Sequence, residues 1–165
     1  MIRPAVGGDL AQLSDIERRA GELFRAIGMT DIADAEPYAE DELATAAALL
    51  VATDEDDAPI GYAMVGLVDG HAHLDQLSVV PERGGQGIGT QLLDAVAAWA
   101  RERGHAEVTL TTFRDVAFNA PVYAKRGYTV VPEDEQTPAL RALVAHEATL
   151  GLDPTARVVM RRRLQ

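Results

Sequence analysis

The chain has no cysteine among its 165 residues, which excludes disulfides, thiolate metal sites and a cysteine nucleophile together. Positive charge is also scarce. Fifteen Lys and Arg stand against 26 Asp and Glu, for a formal net charge of −11, and Lys125 is the lone lysine. Such a surface repels phosphate backbones, which argues against nucleic-acid partners, and it draws cations. Solubility alone would also account for it. No apolar run approaches the ~18 residues of a membrane span. The opening MIRPAVGGDL lacks the charged and apolar regions of a signal peptide, so the expectation is a cytoplasmic protein with no membrane partner. Aromatics make up 5% of the chain, but the apolar fraction of 47% and charged fraction of 25% are ordinary for a globular protein. The length suits a single domain over 1–165 with a sizeable core.

The periodicities predict both strands and helices. MIRPAV reads as a first strand, and Asp9 as the cap of a helix reaching about Ile27. Its stripe is Leu10, Leu13, Ile16, Ala20, Leu23, Phe24 and Ile27. Residues 29–41 read as a polar loop before a short alanine-rich helix led by Asp41. ALLVATDE and IGYAMVGLV are strands. Asp69-Gly70 is a two-residue hairpin signal, and HAHLDQLSVV is the returning strand. That strand sets His71, His73, Asp75 and Leu77 on one face, and Ala72, Leu74, Gln76 and Ser78 on the other. The clearest helix runs from Gly87 to about Arg103, with Ile88, Leu92, Leu93, Val96, Ala97 and Ala100 in one stripe. AEVTLTT is a β-branched strand. NAPVYAKRG reads as a short helix with Asn119 as N-cap, Pro121 in its first turn and Gly127 past its end. YTVV, a helix near 137–150 and ARVVMRRRL complete the chain. The fold class is α+β, a central mixed sheet that opens as an antiparallel meander, flanked by helices.

PERGGQGIGTQLL is the most informative stretch. Gly84, Gly85, Gly87 and Gly89 fall within six positions, and a helix follows at once. A P-loop needs lysine after its last glycine, where Thr90 stands. A dinucleotide fingerprint needs a third glycine where Leu92 stands, and it belongs after a strand of a βαβ unit, not after a hairpin. What remains is a strand, a proline, a glycine turn and a helix start. Its outward N–H groups and helix dipole suit a pyrophosphate, and its missing Cβ atoms allow close approach. A tight turn with glycine caps is the plainer reading.

VVPERGGQGIGTQLL, followed further on by NAPVYAKRGY, resembles the GNAT superfamily of acyl-CoA-dependent N-acetyltransferases. The resemblance implies a GNAT-like fold and acetyl-CoA as co-substrate, with no metal. In that family [QR]-x-x-G-x-[GA] binds the coenzyme pyrophosphate through backbone amides, and Gly87 and Gly89 match its two glycines. The implied coenzyme residues are Gly84, Gly85, Gln86, Gly87, Ile88, Gly89 and Thr90. Leu77, Ser78 and Val79 occupy the stretch whose backbone pairs with the pantetheine arm. Asn119 is a further coenzyme contact in this reading. One departure stands out: the family's Gln/Arg position falls on Gly84, with Arg83 one place early.

Acetyl transfer to an amine needs a deprotonated amine, a polarised thioester carbonyl and a proton for the departing thiolate. Tyr123 matches the first residue of the family's Y-x-x-x-G-[FY], completed by Gly127 and Tyr128, and that tyrosine commonly protonates the thiolate. Relatives often carry a carboxylate base on the strand that leads into the glycine loop, a few residues before it, where this chain has His73 and Asp75. Exposed hairpin residues are the plainer reading of both. His71, His73 and Asp75 also have a spacing that a metal could use. Glu17, Glu22 and Glu36 could hold a cationic substrate. The resemblance therefore implies an acetyltransferase acting by direct transfer on a small-molecule or protein amine. The alternative is a non-catalytic acyl-CoA-binding module. Oligomeric state is not legible, and a homodimer stays open.

Overall fold

The computed structural model describes residues 1–165. The chain forms seven strands, β1 Ile2–Pro4, β2 Ala48–Thr53, β3 Pro59–Val68, β4 His71–Val79, β5 Glu107–Phe113, β6 Thr129–Val130 and β7 Arg157–Arg163, and six α-helices. The helices are α1 Leu10–Arg25, α2 Thr30–Ala33, α3 Glu40–Ala44, α4 Ile88–Glu102, α5 Ala120–Ala124 and α6 Pro138–Thr149. The sheet order is β1-β2-β3-β4-β5-β7-β6. The first pairs are antiparallel and β4 runs parallel to β5, so the sheet is mixed as expected. No helix is long and apolar enough to cross a membrane.

The chain packs as two compact units. The first comprises Met1–Gly66 and Leu74–Ala98. Its core joins Leu13 and Ile16 of α1, Leu43 of α3, Val51 of β2, and Tyr62 and Met64 of β3. Only the front of the predicted α1 stripe is buried. The helix stops at Arg25, and Leu23 and Ile27 are exposed. Asp9 precedes α1 without capping it. Its buried carboxylate turns back to accept from the Val6 N–H at 2.8 Å and from Arg3 at 2.8 Å. The guanidinium of Arg3 thereby holds Asp9 below the usual carboxylate range. The predicted loop 29–41 contains the single turn α2, which the polar composition had concealed. On α4, Ile88, Leu92, Leu93, Val96, Ala97 and Ala100 are all buried, as the periodicity required.

The second unit comprises Leu67–His73 and Trp99–Gln165. It includes the hairpin turn, where Asp69 (φ 56°) and Gly70 (φ 73°) both take the left-handed conformation that a two-residue turn requires. β5 pairs antiparallel with β7 from Glu107↔Arg163 to Phe113↔Arg157. A small core joins Val131, Leu140 and Val159. Thr137 caps α6, its hydroxyl accepting from the Leu140 N–H at 3.2 Å.

Candidate functional site

In the first unit the glycine-rich stretch makes one 3₁₀ turn, Pro81–Arg83, before α4 begins at Ile88. Gly85 (φ 76°) and Gly87 (φ 79°) adopt left-handed backbone that other residues rarely take. The Gln91 N–H bonds to the Gly87 carbonyl at 3.0 Å, which opens the helical ladder. The amides of Ile88, Gly89 and Thr90 therefore sit in the first turn, where an α-helix has no internal acceptor to offer. A Cβ added at Gly85, Gly87 or Gly89 would meet no protein atom within 4 Å. The backbone there faces open space, and the helix dipole favours an anion in it.

Gly84 differs. A Cβ there would lie 3.2 Å from the Pro81 carbonyl, so a side chain at this position would need a small shift of the turn. Arg83 lines a surface hollow with Thr53, Asp54, Glu55 and Asp57. The turn is tethered to α1 by the ion pair of Arg19 with Glu82.

β4 leads into this turn. Ser78 is buried, and its hydroxyl accepts from Gln76 Nε2 at 2.9 Å. Leu77 and Val79 are half-buried. Gly61 on β3 allows the close approach: a Cβ there would come within 3.0 Å of the Ser78 carbonyl and 3.4 Å of Leu92 on α4. Asp75 lies half-buried over Gly66, where an added Cβ would overlap its Oδ2.

The three glutamates read as possible cation holders have different surroundings. Glu22 is neutralised by Arg25, which also reaches Asp34. Glu36 is exposed. Glu17 is half-buried, and its Oε1 accepts from the Tyr62 hydroxyl at 2.7 Å and the Tyr38 N–H at 3.0 Å. Burial raises its pKa, and the two hydrogen bonds only partly oppose that. Sequence reasoning missed Tyr62 as its partner. The signal was a lone aromatic residue in the aliphatic strand IGYAMVGLV.

In the second unit the reading of His73 as an exposed hairpin residue is corrected. His73 is 2% exposed, and its Nδ1 lies 2.7 Å from the hydroxyl of Thr109, its register partner on β5. Burial pushes its pKa down to about 4. Ala72, His73 and Leu74 are all buried, so both faces of β4 are covered at this point. His73 is neutral at pH 7 and a weak base. His71 is exposed. No group of three or more His, Asp or Glu side chains has a metal-holding arrangement, so the spacing of His71, His73 and Asp75 gathers no such centre.

Tyr123 lies on α5 with its ring edge-on to Tyr128, centroids 5.8 Å apart. Burial pushes its pKa up to about 12, with the Arg157 charge pulling the other way, so it is a neutral O–H donor at physiological pH. Asn119 stands at the N-cap position of α5 but makes no side-chain cap. Its Oδ1 instead accepts from the Thr112 hydroxyl at 3.0 Å, which leaves its amide nitrogen to donate elsewhere. Arg157, Glu147 and Thr111 form a cluster that sequence reasoning missed. Arg157 Nη2 donates to Thr111 Oγ1 at 2.9 Å, and that hydroxyl donates to Glu147 at 2.8 Å. Arg157 also stacks over Phe113, 4.7 Å from its centroid. Nothing in the local sequence links these distant positions.

The profile of the "Acetyltransferase (GNAT) family" matches residues 11–128, well over half of the chain. Over 69 residues the chain is 28% identical to the uncharacterized N-acetyltransferase YobR of Bacillus subtilis. That stretch is 42% of this chain and 28% of that protein, so the match spans little more than a quarter of the curated relative. Among solved structures, an acetyltransferase of the GNAT family from Staphylococcus aureus superposes with a TM-score of 0.72 at 13% identity. The superposition covers 100% of this chain and 99% of that one. The PaiA N-acetyltransferase of Thermoplasma acidophilum, solved in complex with coenzyme A, gives a TM-score of 0.67 at 17% identity, covering 99% and 98%.

Proposed function

The chain belongs to the acetyltransferase (GNAT) family, and from that membership we propose that it moves an acetyl group from acetyl-CoA to an amine by direct transfer in a ternary complex. The observation that carries this reading is the open glycine turn at the start of α4. Its left-handed Gly85 and Gly87 face space that no protein atom would contest, next to the unpaired amides of a helix start. A pyrophosphate suits that surface in charge and in shape.

In this proposal the amides of residues 84–90, Gln86 and Ile88 included, hold the coenzyme pyrophosphate. The backbone of Leu77, Ser78 and Val79 pairs with the pantetheine arm. The free amide nitrogen of Asn119 adds one donor. Tyr123 protonates the thiolate as it leaves, and its elevated pKa keeps the proton available. The chain has no cysteine to carry an acetyl group between substrates, which favours direct attack by the amine. The net charge of −11 favours a cationic acceptor, either a small amine or an amine on a protein.

Two measurements test the reading. Titration calorimetry is expected to show acetyl-CoA binding, and thiol release across a panel of primary amines is expected to show turnover. A protein that binds acetyl-CoA but acetylates nothing would point to the acyl-CoA-binding module instead. Radiolabelled acetyl-CoA without acceptor should leave no label on the protein. Trapped label would overturn direct transfer.

A further inference from the structure

Glu17 is built unlike the other carboxylates of the first unit. Its half-buried side chain projects from α1 beside the core residues Leu13 and Ile16. Both of its hydrogen bonds fall on one oxygen: Oε1 accepts from the fully buried Tyr62 of β3 and from the backbone of Tyr38. Ser14, one turn earlier on α1, donates to the Tyr38 carbonyl at 2.6 Å, so the segment around Tyr38 is fastened to the helix at two points. The carboxylate is thus held rigidly by one oxygen, while Oε2 makes no hydrogen bond within the protein. The charged and titratable groups facing it are Tyr62, Tyr38, Glu42 and Arg18, and none of them forms an ion pair with it.

The position also matters. Tyr62 follows Gly61, the residue packed on the Ser78 carbonyl of β4. Arg19, two residues beyond Glu17, pairs with Glu82 in the turn that opens the glycine loop. Glu17 therefore stands on a helix tied to the glycine turn and bonds to a strand packed against the proposed pantetheine stretch.

We propose that Oε2 of Glu17 receives the ammonium group of the acceptor and accepts the proton it must lose before attack, an assignment that rests on the acetyl-transfer reading above. Acetylation of an ammonium forms one N–C bond and breaks the C–S bond of the thioester. Of the two N–H protons lost, one ends on the coenzyme sulfur and the other is released. Glu17 takes the released proton and passes it to solvent. A carboxylate with a raised pKa suits that step, because it is a stronger base than an exposed one. The acceptor this selects is a primary amine that arrives as a cation.

The test is Glu17→Gln, with Glu22→Gln on the exposed, ion-paired side of α1 as control. The glutamine carbonyl can still accept from Tyr62 and Tyr38, and no charge is then buried, so Tm should hold or rise. Coenzyme A affinity should stay within twofold of wild type. With the best amine from the panel, kcat/KM should fall at least 100-fold, the lower end of what a positioned base contributes. The acidic limb of the wild-type kcat/KM profile, lying above the ordinary carboxylate range, should vanish in Glu17→Gln and persist in Glu22→Gln. Wild-type kcat/KM in Glu17→Gln with the limb unmoved would overturn the assignment, while failure of the wild type to bind acetyl-CoA would overturn the acetyl-transfer reading instead. If the wild type binds coenzyme A but turns over no panel amine, the Glu17 carboxyl carbon resonance decides. In the coenzyme A complex, added 1,5-diaminopentane should lower its apparent pKa, and an unmoved titration would overturn the proposal.

Discussion

At the scale of single residues, Tyr123 and Gly87 carry the sharpest expectations. Tyr123→Phe removes one hydroxyl and keeps the ring against Tyr128. If the phenol is the acid, kcat should fall about 10²–10⁴-fold while coenzyme affinity is preserved. A fall of less than tenfold, with chemistry shown to be rate-limiting, would remove it from that role. The elevated pKa adds a second expectation: Tyr123 stays protonated up to about 12, so it should impose no alkaline limb on the rate below about pH 10. Gly87→Val places a branched Cβ on left-handed backbone and in front of amides offered to the ligand. Calorimetry should show coenzyme affinity weakened tenfold or more. Affinity equal to wild type would refute the proposed pyrophosphate site.

At the scale of elements, α6, β5 and β7 are cross-linked by one polar cluster. Arg157 and Glu147 have side chains only 10% and 17% exposed, and they approach to 3.6 Å with Thr111 bridging them. Burial lowers the Arg157 pKa and Glu147 partly restores it, the balance expected of a desolvated pair. Glu147→Ala would leave the guanidinium largely buried and uncompensated. Urea unfolding should register a loss of about 3 kcal/mol. The same reasoning explains why α1 outran its burial on paper. A 3-4 stripe can be written as far as Ile27, but its core contacts come from Leu13 and Ile16, with Leu10 packed at their edge, while Leu23 and Ile27 stay exposed.

At the scale of the whole molecule, two expectations follow from protons and charge. His73 has a folded pKa of about 4 against ~6.5 for an unperturbed imidazole. Below about pH 6.5 the unfolded chain binds a proton that the folded chain refuses. The stabilisation is therefore complete above that pH and is lost as pH falls toward 4, by about 3 kcal/mol in all. Urea unfolding between pH 4 and 7 should show that slope reduced in His73→Gln, and an identical slope would mean that His73 is not the titrating group. The net charge of −11 sets the second expectation. Coenzyme A is an anion, so long-range repulsion should slow its approach to this surface and salt should screen it. Stopped-flow association should quicken between about 20 and 200 mM salt, where the Debye length shrinks below ~10 Å. A rate that falls with salt would mean that a local positive field outweighs the net charge.

What the sequence determined by itself is whatever depends on neighbours along the chain. The α4 stripe, the Asp69-Gly70 turn, the glycine turn and the Pro138–Thr149 helix are set by periodicity and by backbone freedom, which act over a few residues. The proposed roles of Leu77 to Thr90 and of Tyr123 rest instead on the resemblance of short local motifs to the GNAT family. Tertiary structure decided the rest, because burial and partnership depend on which strands become neighbours. His73 was read as an exposed hairpin residue, but packing over the strand buries it against Thr109 of β5. Asp9 and Asn119 stand where caps belong, yet Arg3 and Thr112 offer them better partners from other elements. Glu17 was one of three equivalent carboxylates until Tyr62, 45 residues away, took hold of one oxygen and left the other open.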